Sequence, residues 1–159
     1  MRTVIIGLVI ALVVILAVAL AVWVRRARSA GRTVSAPADQ ERERLFVGDV
    51  MRKHLITSGG LARLEVFPWG VRVRGMPLTR WVVSTWEASF DEIAMAELVA
   101  TEHSRIAVWL RLRGEPGQGT AFLSGWNEDI LRQLDKHDVP VSRAVTKIRG
   151  AAELYSTPS

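Results

Sequence analysis

Residues 3–24 form an unbroken apolar run, TVIIGLVIALVVILAVALAVWV, without a charge or a proline. No other feature constrains the fold as much, because a stretch this long cannot be buried inside a domain this small. As a helix it would extend roughly 33 Å, enough to cross a hydrocarbon layer of about 30 Å. A helix is also the conformation in which a lone segment satisfies its own backbone in lipid. Trp23, Arg25, Arg26 and Arg28 stand at its C-terminal end, where an indole ring and snorkelling guanidinium groups favour the headgroup level. A single-pass transmembrane helix over 3–24 is therefore expected, with these four residues as interface anchors. The competing reading is a cleaved signal peptide, since Ala17-Val18-Ala19 and Ala19-Leu20-Ala21 have the small-x-small form. Against it, the run exceeds the roughly 7–15 residues of a signal core, and the Arg-Arg-Ala-Arg that follows reads as a stop-transfer signal. Only Arg2 and the terminal amine precede the run, whereas Arg25, Arg26, Arg28 and Arg32 follow it. The positive-inside rule thus places the rest of the chain on the cytoplasmic face of the cell membrane.

The formal charge of +5 invites a nucleic-acid reading until it is located. Residues 1–34 hold five arginines and no acid, and residues 35–159 hold 16 basic and 16 acidic side chains. The remainder is neutral and lacks the broad positive field that drives binding to a phosphate backbone, so no nucleic-acid partner is expected. The absence of cysteine excludes disulfides, thiol catalysis and thiolate metal sites.

Residues 25–60 read as a basic flank, a flexible tether rich in Ser, Ala, Gly and Pro, and a juxtamembrane helix. Within it Val47, Val50, Met51, His54 and Leu55 follow helical spacing, and Ser58-Gly59-Gly60 ends the pattern. After Gly60 the period becomes two. Leu61–Phe67, a Pro68-Trp69-Gly70 turn and Val71–Arg74 predict a hairpin with its valines inward and its arginines outward. Arg80–Thr85 and Ser89–Ala100 are further strand candidates, although Ala94-Met95-Ala96-Glu97-Leu98 suits a helix equally well. Arg105–Arg113 alternates Ile106, Val108, Leu110 and Leu112 with Arg105, Ala107, Trp109, Arg111 and Arg113. A turn over 115–119 leads to a returning strand at Thr120–Ser124. A helix over about 127–138 follows, with Asn127 as N-cap, Trp126 and Leu131 as a hydrophobic staple, and Ile130, Leu131 and Leu134 as its buried face. Residues 143–159 read as a tail.

The segments WGVRVRG, SFDEIAMAELVA, RIAVWLRLRG, GTAFLSGW and NEDILRQLDKHDVPV, in this order, resemble bacterial pleckstrin-homology-like (PH-like) domains over residues 61–142. The resemblance implies an α+β fold: a small antiparallel β barrel, capped by the 127–138 helix and preceded by the transmembrane helix. It does not imply a lipid ligand, because a scaffold does not fix its function.

Catalytic constellations are missing from the sequence. His54, His103 and His137 have no metal-ligand spacing, no phosphate or dinucleotide loop is present, and no cofactor is implied. The pairs Asp91-Glu92 and Glu128-Asp129 are adjacent in sequence and diverge on any regular element, which makes no acid–base dyad. The expectation is a non-enzymatic binding or scaffolding module that engages a protein partner at the membrane. The alternative is direct recognition of anionic lipid by an arginine-rich strand face made of Arg72, Arg74, Arg105, Trp109, Arg111 and Arg113. The plainer account of that face is a solvated surface whose arginines pair with Glu65, Glu87 or Glu97, and Trp69, Trp81 and Trp86 are more ordinarily core or rim residues.

Overall fold

The computed structural model describes residues 12–22, 41–52, 55–101, 105–114, 118–149 and 151–155. Residues 12–22 are helical (α1) and exposed throughout. Among the described residues no helix is long and apolar enough to cross a membrane. The rest of the 3–24 segment and the anchors Trp23, Arg25, Arg26 and Arg28 lie outside the described residues.

The remainder is α+β, built on one mostly antiparallel open sheet. Its strands are β1 (Arg44–Arg52), β2 (Leu55–Ile56), β3 (Ala62–Phe67), β4 (Gly70–Gly75), β5 (Trp86–Ser89), β6 (Ile93–Ala100), β7 (Ile106–Leu112), β8 (Gly119–Leu123) and β9 (Val141–Lys147). Spatial order is β5-β4-β3-β1-β8-β7-β6-β9, with the short β2 beside β1. Among the described residues two further helices accompany the strands, α2 (Asn127–Asp135) between β8 and β9, and α3 (Ala151–Leu154) after β9.

β1 joins the two halves of the sheet. Residues 44–48 pair with β3, whereas residues 49–51 pair with β8 on the other side. At the changeover a Cβ on Gly48 would lie 2.2 Å from the Leu123 carbonyl oxygen, so only glycine permits this approach. The expected juxtamembrane helix is thus a strand from Arg44 to Arg52. Its apolar residues did follow helical spacing, but they serve two cores: Phe46 and Val50 face one, Met51 the other. A strand buried on both faces loses its period-two signature.

The first core gathers Leu64 and Val66 of β3, Val71 and Val73 of β4, Trp86 of β5, Ile93 of β6, Leu110 of β7, Phe122 of β8, and Ile130, Leu131 and Leu134 of α2. One cluster thus gathers residues from both halves of the strand order together with those of α2. The second core lies on the opposite face, where Met51, Val99, Trp109 and Leu123 are covered by Ile148, Leu154 and Tyr155.

The 61–74 hairpin forms as expected, with Val71 and Val73 fully buried and Arg72 and Arg74 outward. Residues 93–100 are strand, which settles the ambiguity at 94–98. Arg80–Thr85 is not a strand: a 3-10 turn at Pro77–Thr79 continues into further turn, with Val82 and Val83 amides on the Thr79 carbonyl. The 143–159 tail is in large part structured, as β9 parallel to β6 and then α3. α2 ends at Asp135, and its cap position is Trp126, 59% exposed and no staple. The Asn127 amide instead donates to the Ile106 carbonyl at 3.2 Å.

Candidate partner-binding groove

The structure divides the expected arginine face. Arg72 and Arg74 stand on the outer side of β4, where Arg72 pairs with Glu87 and Arg74 with Glu65 at 2.8 Å. Trp109 is 3% exposed, lying in the second core edge-on to Tyr155 at 5.1 Å. Arg111 is half-buried against the Met95 sulfur, Arg113 sits in the turn after β7, and Arg105 binds the buried Asp49 at 3.0 Å. These six residues do not form one surface. Trp86 is core, Trp69 stacks on Phe67 beneath the Arg72 guanidinium, and Trp81 is 54% exposed.

Several charged groups lie inside the domain, and each has a structural explanation. Glu65, 1% exposed, gathers Arg42, Arg63 and Arg74 within 3.3 Å. Burial, and then the neighbouring Arg74, Arg80 and Arg42, hold the Arg63 guanidinium below its usual pKa against the opposing pull of Glu65. Asp49 accepts hydrogen bonds from the Thr57 hydroxyl, the Gly60 and Leu61 amides and Arg105, and so fixes the bend between β2 and β3. Arg52, at the far end of β1, donates to the Ser84 carbonyl at 2.8 Å and to the Thr120 hydroxyl at 3.1 Å. Burial lowers its pKa to about 10.

An uncovered strand edge lies at the other end of β1. Of β1, only residues 49–51 pair with β8. Among the described residues, therefore, no strand covers the side of residues 44–47 that faces away from β3. In an antiparallel ladder alternate residues direct their N–H and C=O groups to that free side. α2 forms the opposite wall, held by Glu43, whose carboxylate accepts from the Gln133 amide and lies 2.9 Å from His137 Nε2. His137 is in turn stacked on Phe90 at 4.1 Å. Between wall and edge runs a groove of about 470 Å³. Arg44, Leu45, Val47, Trp126, Arg132 and Lys136 line it, with Asp129 as its one acid. Leu45, Val47 and Trp126 are 41%, 47% and 59% exposed, a concentration of bare apolar surface next to an unpaired backbone edge.

Sequence reasoning missed all of these groove residues. Glu41-Arg42-Glu43-Arg44 read as the solvated start of a helix, and Trp126 as part of a staple. A residue that combines helix-start position with high exposure has no sequence signature, whereas the surplus of cations among Arg44, Arg132 and Lys136 was present in the sequence but dispersed over ninety residues. Among family models none matches the chain, and no curated protein matches it.

Proposed function

We propose that this chain is a membrane-held, non-enzymatic binding module: a single-pass anchor over residues 3–24 presents a PH-like barrel at the cytoplasmic face, where it engages a protein partner. The observation that carries the reading is the open β1 edge facing α2, since an unpaired edge with exposed apolar side chains is a surface that proteins otherwise cover. The barrel reading draws on the one core that both halves of the strand order share with α2, and the anchor reading on the apolar run and its arginine flank. The test joins two measurements on the full chain in native membranes. A C-terminal reporter active only in the cytoplasm, with an alkaline wash, should give a cytoplasmic, wash-resistant signal. A photo-crosslinker at Val47 should give discrete adducts that the same crosslinker at Ser142, on β9, does not. External reporter activity, or identical adduct patterns at both positions, would overturn the proposal.

A second reading, contact with anionic lipid, is favoured by one loop. Leu78 is 88% exposed, with the exposed Arg80 and Trp81 beside it. The chain has no cysteine, so Leu78→Cys accepts a single environment-sensitive dye. In nanodiscs containing anionic lipid its emission should shift to the blue and return with added salt. Water-like emission in every lipid would end this reading.

A further inference from the structure

Resting on the binding-module reading, we infer that the β1–α2 groove takes one class of occupant, an extended peptide segment that adds a strand to β1 with apolar and acidic side chains in alternation. The unpaired side of residues 44–47 supplies main-chain partners over about four residues, or roughly 13 Å of extended chain. The chemistry of the walls then sets the side-chain pattern. Successive side chains of an added strand point to opposite faces of the sheet. Leu45 and Val47 share the face of β1 turned away from the first core, since their cross-strand neighbours Glu65 and Arg63 lie outside that core, whereas Phe46 between them enters it. One parity of the added strand therefore comes to rest beside Leu45 and Val47 and is apolar, because those two side chains remain 41% and 47% exposed without it.

The other parity faces α2. There Arg132 and Lys136 lie one helical turn apart, Arg44 closes the near end, and Asp129 is the one acid lining the groove against these three cations, the nearby Glu43 carboxylate being held by Gln133 and His137. The Asp129–Arg132 contact is 3.3 Å between exposed groups, a pairing weak enough for a better-placed carboxylate to displace. The surplus of positive charge selects an acidic side chain at this parity and disfavours a basic one. A second copy of this β1 edge fits poorly, because it would bring a further Arg44 against the same cations. The occupant is thus a segment of a different protein, of the form apolar-acidic-apolar-acidic.

The probe is a fluorescein-labelled peptide, Val-Glu-Val-Glu-Val-Glu, titrated by anisotropy against the full chain in detergent micelles. Its counterparts are Val-Lys-Val-Lys-Val-Lys and a Val-Glu peptide N-methylated at alternate residues. The acidic peptide should bind at least tenfold more tightly than the basic one, and one N-methylation register should abolish binding because it removes the donors that face β1. Arg132→Glu with Lys136→Glu changes exposed helix positions and should reverse the charge preference while leaving the melting temperature unchanged. Equal affinity for the acidic and basic peptides, or for the methylated and unmethylated ones, overturns the inference. If the crosslinker at Val47 still yields discrete adducts in membranes, the binding-module reading survives that result and only the identity of the occupant falls. If both fail, both fall.

Discussion

Arg52 shows how a single buried charge shapes the stability of this domain. It is 1% exposed, and its described partners are neutral oxygens: the Ser84 carbonyl and hydroxyl and the Thr120 hydroxyl. Among the described residues its Nη2 has no hydrogen-bond partner. Burial lowers the pKa to about 10, well below the usual guanidinium value, so the folded state disfavours the proton that the unfolded chain keeps. The penalty, on the order of 3 kcal/mol, is in full force below pH 10 and is relieved as pH rises above that value, where the unfolded state binds more protons than the folded one. Arg52→Met retains the apolar stem and removes the charge. Urea titrations should place it within about 1 kcal/mol of wild type at pH 8, and wild type should gain on it by pH 10.5. Arg52→Ala should lose about 3 kcal/mol, from the void and the orphaned oxygens. Asp49 is the opposite case, a buried carboxylate with four donors. Asp49→Ala leaves the Gly60 and Leu61 amides and the Thr57 hydroxyl without their acceptor. It should cost about 3 kcal/mol in the same assay, against about 1 kcal/mol for Arg105→Ala, whose side chain is 46% exposed.

At the scale of elements, how readily each one was legible follows from how plainly its two residue parities differ. In β4, Val71 and Val73 alternate with Arg72 and Arg74, and in β7, although both faces are covered, Val108, Leu110 and Leu112 alternate with a parity that carries Arg111. β1 was not legible, because Met51 and Val50 point into different cores and the sequence shows their sum. β9 was missed for the converse reason. It is an edge strand with residues 143–147 exposed, and little in Val-Ser-Arg-Ala-Val-Thr-Lys marks burial. α3 is only four residues long and owes its place to Leu154 and Tyr155, which cover Trp109. Ending the chain at Arg149 should therefore uncover Trp109, shift its fluorescence to the red and cost about 2–4 kcal/mol in a denaturant titration, the range for exposing one large apolar side chain and its aromatic neighbour. Gly48→Ala tests the strand junction. The added methyl meets a backbone carbonyl rather than a movable side chain, so the contact between β1 and β8 must open, and hydrogen exchange should quicken at Asp49–Met51 ahead of the β3–β4 hairpin.

For the molecule as a whole, the question is whether two cores on opposite faces of one sheet make one cooperative unit or two. They share strands rather than loops. β1 supplies Val50 to the first core and Met51 to the second, β7 supplies Val108 and Trp109, and β8 supplies Phe122 and Leu123. Melting either core requires these same backbones to move, so neither can unfold while the other keeps its packing. Nature has placed a reporter in each, Trp86 at 2% exposure in the first and Trp109 at 3% in the second. Two variants, each keeping only one of these tryptophans with the others changed to Phe, should therefore unfold at urea midpoints that agree with each variant's own circular dichroism transition. A Trp109 signal that leads the circular dichroism transition would mean that Ile148, Leu154 and Tyr155 form a detachable cover. The groove gives that distinction a functional side. Its β1 wall, Leu45 and Val47, precedes the shared half of the strand and pairs with β3 alone. Under full cooperativity the edge offered to a partner has the stability of the whole domain, and the Ala121, Leu123 and Met51 amides should exchange no faster than those of Leu64 and Val73.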